Sequence, residues 1–367
     1  MTSMRNGFIP THVWLVLGVA ICGVSSAGAI FTHVDEIPPL LRASWRLQLT
    51  ALLLAPLALW QFSNTQSEIR SKLIEPTTVK IVVASGAFLA LHFGFWVTSL
   101  DYTSLTHSLL FVTAHPLVIL IGMFFFVRKP NRLEFLGGIA AFAGAAISML
   151  DTGDVQGDRS VTFFGDQLAF LGAVFVVGYI VCGRILRDWM PLFLYAFPVT
   201  LIGGFLLIPA SWLLESNYAE FGAFGYFGHS TLVWFVLLAI IAGVLGHTGL
   251  NYCLKYVSPL LISISVTLEP VLGSLIGWMF FSTGIPGLWT WIGGPILMIG
   301  IISIVYGEHL ASNLEEPLAK ETPENRPEAV VLNPSRVSRN KQSTETSDKS
   351  LTKQTSIDNN NRLEGIE

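Results

Sequence analysis

Charge is what this sequence lacks most. Only 13% of its 367 residues are Asp, Glu, Lys or Arg, against 52% hydrophobic, where a water-soluble domain carries about 25% charged residues. The shortage is sharper than the average suggests. Residues 307–367 hold 8 of the 21 Lys and Arg and 11 of the 25 Asp and Glu, so 27 charged side chains serve the first 306 residues. So few cannot cover an aqueous surface of that size, which excludes an ordinary soluble enzyme. There is no basic excess either: the net charge of −4 gives no reason to expect a nucleic-acid partner. The three cysteines, Cys22, Cys182 and Cys253, all lie in apolar runs and read as small buried thiols, with neither a disulfide framework nor a metal site. His-Glu-x-x-His and the phosphate-binding Gly-Lys-Ser/Thr loop are missing, so neither a metalloprotease-type site nor ATP-driven pumping is expected, and no cofactor is implied.

What is present is a series of long apolar runs. Lipid offers no partner for a bare backbone N–H or C=O, so a spanning helix needs about 20 mostly apolar residues. Ten such runs occur, at 13–31, 40–62, 79–100, 104–127, 133–150, 161–183, 191–214, 231–254, 258–281 and 287–306. They are continuous rather than alternating, which excludes a β-barrel. Arg5 ahead of the first run and the small residues Ser25-Ser26-Ala27-Gly28-Ala29 in it also suit a signal peptide, but the repeat described next requires this helix to be retained. With the N-terminus inside, Arg5, Arg70, Lys72, Lys80, Arg128, Lys129, Arg132, Arg184, Arg187 and Lys255 fall on the cytoplasmic side and only Arg159 in an outer loop. By the positive-inside rule both termini are cytoplasmic.

The runs repeat. At an offset of 154 residues Leu17-Gly18 meets Leu171-Gly172, Tyr102-Thr103-Ser104 meets Tyr256-Val257-Ser258, and His115-Pro116 meets Glu269-Pro270. Two residues more bring Gly137-Gly138 onto Gly293-Gly294 and Gly144 onto Gly300. The halves hold five spans each, an odd number, so the second enters the membrane from the opposite side. Asp101 and Lys255 are equivalent positions with opposite charge, as expected if one lies outside and the other inside. Inverted repeats are the architecture of alternating-access carriers, with the site near mid-membrane between the halves, although some channels are built likewise.

Leu100-Asp101-Tyr102-Thr103-Ser104 followed by Pro116-Leu117, and Leu268-Glu269-Pro270-Val271 followed by Gly277-Trp278, resemble the fourth- and ninth-helix signatures of the drug/metabolite transporter superfamily, in its EamA-type members. The resemblance covers 13–306 and implies ten helices, an inverted repeat and cytoplasmic termini. Where the family often has Gly-Glu after these helices, this chain has Arg128-Lys129-Pro130 and Ser282-Thr283-Gly284. The related small multidrug exporters use a carboxylate in their first helix, and 13–31 contains none. The resemblance admits amino acids, nucleotide or sugar derivatives, or vitamins as solutes.

The expected fold is therefore an all-α polytopic membrane protein, with ten transmembrane helices as two inverted five-helix repeats and both N- and C-termini cytoplasmic. A short cytoplasmic N-terminus, 1–12, precedes a first EamA-like repeat at 13–150 and a second at 161–306. The tail, 307–367, is rich in Ser, Thr, Asn, Glu and Pro, buries too little to repay its ordering entropy, and reads as disordered and cytoplasmic.

Polar groups inside the spans mark the candidate site. Arg42 and Arg46 are a turn apart on the second span. Arg42 is near the outer end and can snorkel, whereas Arg46 starts about 9 Å in, at 1.5 Å per residue. The family pattern also tends to place an arginine here, matched by Trp45-Arg46, while the repeat equivalent of Arg46 is Thr200. Two readings are open: Arg46 contacts an anionic group of a solute, or it pairs with Asp166 at similar depth. His115 and Glu269 each stand mid-span before a proline, Pro116 and Pro270, whose missing N–H frees a carbonyl and kinks the helix. Glu269 is either a gate or site element, with a part in proton coupling, or a neutral hydrogen-bonding group. His92 and His247 occupy similar positions in the third and eighth spans; each is a secondary lining residue or a helix-to-helix hydrogen bond. His107, a turn from the outer face, is a weaker candidate. Tyr102 and Tyr256 are further candidate lining residues. Gly273 and Gly277 form a Gly-x-x-x-Gly step suited to internal helix packing or a dimer interface.

These residues lead to a secondary carrier of a small organic metabolite, anionic or zwitterionic, in a lipid bilayer, as monomer or homodimer. The rival is a membrane receptor or scaffold that keeps the transporter fold without transport. The membrane is the plasma membrane or an internal one.

Overall fold

The computed structural model describes residues 10–126, 129–148, 150, 160–256, 262, 265, 266 and 268–320, apart from the side chains of 123, 126, 308 and 311–320. The chain divides into two compact units, Met1–Ala311 and Ser312–Glu367. In chain order the helices are α1 Thr11–His33, α2 Pro39–Ser63, α3 Ser67–Leu73, α4 Pro76–Ser99, α5 Leu105–Val112, α6 His115–Phe126, α7 Arg132–Ser148, α8 Phe163–Arg187, α9 Leu192–Leu214 and the one-turn α10 Tyr218–Phe221. Then come α11, Leu232–Cys253, α12, Glu269–Phe281, and α13, Leu288–Lys320. In α11 the stretch Leu238–Thr248 is wound with the wider π turn, a form that breaks the regular helical ladder and often marks functional positions.

Among the described residues, seven segments are long and apolar enough to cross a membrane: α1, α4, Leu105–Gly122 across α5 and α6, α8, α9, α11 and Leu288–Gly307. Three of the expected ten spans stand outside this set for identifiable reasons. Helix α2 has 25 residues, but Arg42, Arg46, Gln48 and Gln61 dilute its apolar composition. Helix α7, at 17 residues, is slightly short. Of the ninth run only α12, with 13 residues, and scattered preceding positions are described; 257–261, 263, 264 and 267 lie outside the described residues. The last helix does not stop at Tyr306 but runs to Lys320, so the first part of the tail expected to be disordered is helical. The rest of the tail, from 321, lies outside the described residues, as do 1–9.

The ends of the helices follow local chemistry. Proline opens α2 and α4 at Pro39 and Pro76, where its missing N–H costs nothing. Helix α7 opens on a reciprocal capping box: Glu134 N donates to Asn131 Oδ1 (2.9 Å), and Asn131 N donates to Glu134 Oε2 (2.6 Å). Asn131 Nδ2 also donates to the Gly307 carbonyl at 2.8 Å, tying this cap to α13. Helix α2 is capped from another helix. Leu40 N and Leu41 N donate to the Glu215 carboxylate, at 2.6 and 3.3 Å, and burial pushes that carboxyl above the usual range while these donors oppose the shift. The chain breaks between α5 and α6 at Thr113-Ala114, just before Pro116; Thr113 Oγ1 turns back to donate to the Leu109 carbonyl at 2.8 Å.

One apolar core runs through α1, α2, α4, α5, α8, α9 and α11, around Phe31, Trp45, Phe93, Leu105, Val199 and Phe235. Elsewhere the backbones themselves touch. A Cβ at Gly144 on α7 would stand 2.6 Å from the Gly293 carbonyl of α13, and one at Gly137 would stand 2.8 Å from the Gly300 carbonyl. The two glycine sets that the repeat matches therefore meet crosswise, Gly144 on Gly293 and Gly137 on Gly300. All three cysteines are free, and only Cys253 is buried; Cys22 lies on an exposed face of α1 rather than in the core.

Candidate solute site within the helix bundle

The site is built around Arg46. Helix α2 is buried without interruption from Leu41 to Ala51, and Arg46 sits in that stretch with 1% of its surface exposed. Its guanidinium lies 4.0 Å from the ring centroid of Phe93 on α4 and 6.0 Å from that of Phe31 on α1. Among the described residues, Nε and Nη1 have no hydrogen-bond partner. A deep arginine costs about 2.5–3.5 kcal/mol on insertion scales, and a desolvated cation–π contact returns about 2 kcal/mol. The guanidinium is thus held by its position and left short of partners.

The groups around it come from five helices. Glu269, 8% exposed in the first turn of α12, interacts with Arg46 through its charge, yet the two form no ion pair within 4.0 Å among the described residues. His92 on α4 stacks on Trp96 at 6.0 Å and places Nδ1 2.9 Å from the Gly172 carbonyl of α8. His247, in the π-wound part of α11, has its ring 6.5 Å from His92 and 5.4 Å from Phe93. His115, at the start of α6, is buried and near enough to His92 to act on its charge. Asn251 Nδ2 donates to Tyr179 Oη of α8 at 2.8 Å and to the His247 carbonyl at 2.9 Å. Five residues expected from the sequence, Arg46, His92, His115, His247 and Glu269, thus converge.

Tyr179, Asn251 and the aromatic wall of Phe31 and Phe93 were not anticipated. Asn251 carries a signal, an amide one turn beyond His247 inside an apolar run. The two phenylalanines carry none, since any apolar residue looks alike until packing chooses its neighbours.

Other expected residues lie elsewhere. Tyr102 is 47% exposed and packs on Phe164, and Tyr256 is 37% exposed beside Tyr252 and His12. Each follows the last turn of its helix, in the position where aromatic rings settle at a membrane interface, at opposite ends of the bundle. Pro116 follows the α5–α6 break, and Pro270 occupies the first turn of α12. Gly273 faces Leu109 and the Ser25 carbonyl, and Gly277 faces Leu105 and Thr283, so both face neighbouring segments of this chain.

The pairing of Arg46 with Asp166 is not what the structure contains. Asp166, fully buried in the first turn of α8, accepts from Thr103 Oγ1 at 2.7 Å and stands 3.1–3.2 Å from His107 Nδ1; His107 Nε2 is 2.8 Å from Thr290 Oγ1 of α13. Donors at the start of α5 lie level with Asp166 and take it, whereas Arg46 sits deeper, in the aromatic layer. Arg42, one turn nearer the end, does find a carboxylate: it pairs with Asp101 and donates to the Phe31 carbonyl at 2.9 Å. It is fully buried rather than snorkelled. At the same end the loop after α9 folds over Trp45, whose Nε1 donates to the Gly222 carbonyl at 3.3 Å, while Gln48 Nε2 donates to that of Ala223 at 3.2 Å. Among the described residues no cluster of three or more His, Cys, Asp or Glu is placed to hold a metal ion.

The EamA-like transporter family matches this chain twice, at residues 10–150 and 163–306. An uncharacterized transporter of Bacillus subtilis (strain 168), YxxF, is 28% identical over 229 residues, covering 60% of this chain and 67% of that one. A crystal structure of another protein superposes with a TM-score of 0.53 at 20% identity, over 84% of this chain and 99% of that chain; at that identity the likeness concerns the fold.

Proposed function

Because the chain belongs to the EamA-like transporter family, and is accordingly a multi-pass integral membrane protein that handles a small solute, we propose that it is a secondary carrier with its solute site at Arg46. In this reading ten helices form two inverted halves with both termini cytoplasmic, and the site opens alternately to either side. The solute carries a carboxylate or phosphate, and a zwitterion suits the site best. Its anionic group takes the free N–H groups of Arg46, which a planar, bidentate acceptor fits. Its ammonium group faces Glu269, a carboxyl group whose charge acts on Arg46. His92, His115, His247, Tyr179 and Asn251 line the remainder. The observation that carries the proposal is the buried guanidinium with two nitrogens unpartnered: a charge kept in the membrane at this cost needs a partner that comes and goes.

In this reading the Arg42 end is the closed one, held by Arg42–Asp101 and by Asp166–His107–Thr290, which join α2, α8 and α13 to the α4–α5 region. Opening there requires those contacts to part. Membership of a transporter family points to carriage rather than catalysis, and the proposal uses no covalent step.

The test is uptake into proteoliposomes from a mixed metabolite extract, read by mass spectrometry, for the wild type and Arg46→Gln. We expect enrichment of one class of carboxylate- or phosphate-bearing solute, reduced at least tenfold by the substitution. Equal uptake by the variant would remove Arg46 from the site. Absence of enrichment by a folded wild-type protein, with and without a pH gradient, would favour a receptor or scaffold that keeps the fold.

A further inference from the structure

At the end of the bundle opposite Arg42, an apolar cleft of about 450 Å³ opens between α2, α4 and α9. Its walls include Ala58, Phe62, Leu73, Val82, Met190 and Phe197, and every lining residue is apolar. Several of its rim residues, among them Leu59, Val79 and Val83, are exposed, so the cleft is open to the lipid side of the bundle at the level of the spanning helices.

Three cations stand at one end of this apolar cleft. Lys72 on α3 places its ammonium 4.3 Å from the ring centroid of Trp189, the neighbour of Met190. Arg70 lies 5.0 Å from the ring of Phe62, with Nη2 donating to the Ser63 carbonyl at 2.7 Å and Nε without a partner. Arg187, at the end of α8, donates through Nη1 to the Met190 carbonyl and also leaves Nε without a partner. None of the three forms an ion pair among the described residues. The acidic residues of the same segments, Glu68, Glu75 and Asp188, are exposed and pair with none of them. Stacking on aromatic rings holds two of these cations against the cleft mouth while leaving their charge unneutralised.

An apolar slot ending in uncompensated positive charge, at the edge of the membrane-spanning layer, is complementary to an amphiphile with an anionic head and a hydrocarbon tail. We propose that this cleft is a specific binding site for an anionic phospholipid of the leaflet on the α3 side. One acyl chain lies in the cleft, and the phosphate is held by Arg70, Lys72 and Arg187. Basic pockets between spanning helices recognise such headgroups in this way. Because α2 and α4 belong to the first family match and α9 to the second, the bound lipid spans both halves and stabilises their contact.

The experiment uses the full-length protein in a neutral detergent, with dioleoyl phosphatidylglycerol, dioleoyl phosphatidylcholine and inorganic phosphate as probes. Native mass spectrometry reads the adducts, and thermal melts read the stabilisation. We expect a one-to-one phosphatidylglycerol adduct that raises the melting temperature, phosphatidylcholine binding at least tenfold more weakly, and no effect of inorganic phosphate. Arg70→Gln with Lys72→Gln is expected to weaken phosphatidylglycerol binding about thirtyfold, taking roughly 1 kcal/mol per surface cation. Ala55→Phe, which fills the cleft, is expected to remove the adduct with the cations intact. Equal binding of the two lipids would overturn the proposal, since the ratio in the wild type needs no variant to fold. So would an unchanged affinity in either variant, or protection by inorganic phosphate alone, which would mark a free-anion site.

Discussion

Two arginines one helical turn apart on α2 make opposite contributions, and the difference can be measured. Arg42 is fully buried and paired with Asp101, whose side chain is 19% exposed. Asp101→Ala leaves the guanidinium with the Phe31 carbonyl as its remaining described acceptor; removing one partner of a buried pair costs 3–5 kcal/mol, and the partial exposure of Asp101 lowers this to about 2–3 kcal/mol. Among the described residues Arg46 has no such partner to lose. Arg46→Met removes an insertion cost of about 2.5–3.5 kcal/mol and a cation–π gain of about 2 kcal/mol, so the solute-free protein should become more stable by about 1 kcal/mol while uptake is lost. Thermal unfolding in detergent checks both signs; a destabilised Arg46→Met would mean that the guanidinium has a structural partner. The depth of Arg46 was legible in the sequence because the cost of burying a charge depends on position along a span. Its neighbours were not, because depth says nothing of direction around the helix. That is why Asp166, at a plausible depth, belongs to His107 and Thr103 instead.

Among the elements, α7 and α13 meet backbone to backbone, with no side chain between Gly144 and Gly293 or between Gly137 and Gly300. Gly144→Leu must push the helices apart, and overpacking of this kind costs about 1–3 kcal/mol or more. Gly18 on α1 has nothing within 4 Å of a Cβ built there, so Gly18→Ala should be neutral or stabilising by about 0.5–1 kcal/mol through helix propensity. Denaturation of the two variants side by side separates a packing requirement from a general intolerance of glycine replacement; similar losses in both would sink the distinction. The repeat made these glycines equivalent in sequence, but equivalence does not say that the two helices touch, which only assembly of the halves decides. The α5–α6 break could be read from Pro116, since the missing N–H acts locally. The π winding of Leu238–Thr248 had no such cue: its glycines, Gly243 and Gly246, suit close approach of Thr50 and of Val24 on α1, neighbours that only the assembled bundle supplies.

At the scale of the whole molecule, seven apolar segments are plain in the structure, and the proposed ten depend on α2, α7 and the α12 region. Hydropathy identifies a span by its average, so a helix that carries buried polar residues, as α2 does with Arg42, Arg46 and Gln48, is the one that an average under-reports. The proposed topology has a direct consequence. Ser67, on α3, and Ser216, after α9, are both exposed and fall on opposite faces if α2, α4 and α9 cross the membrane as proposed. In a background with Cys22, Cys182 and Cys253 replaced by serine, Ser216→Cys should react with an impermeant maleimide on intact cells and Ser67→Cys only after permeabilisation. The reverse pattern would invert the orientation, and labelling of both from outside would break the ten-helix count. The last apolar segment ends at Gly307, where composition puts it, yet α13 runs on to Lys320: a polar sequence that cannot build a core can still continue a helix already nucleated in the bundle.

The unfilled hydrogen bonds of Arg46 also bear on how the cargo can be found and how the protein survives in a cell. A molecule that completes them binds the folded state and not the unfolded one, so at a hundred times its dissociation constant it adds about 2.7 kcal/mol to folding. If Arg46 holds the solute as proposed, that solute acts as a pharmacological chaperone for this protein. A library screened by thermal shift would rank compounds by fit to the guanidinium with no gradient, direction or driving ion assumed. In the cell, copies without cargo would be the first passed to proteolysis, so the abundance of the carrier would follow the supply of what it carries.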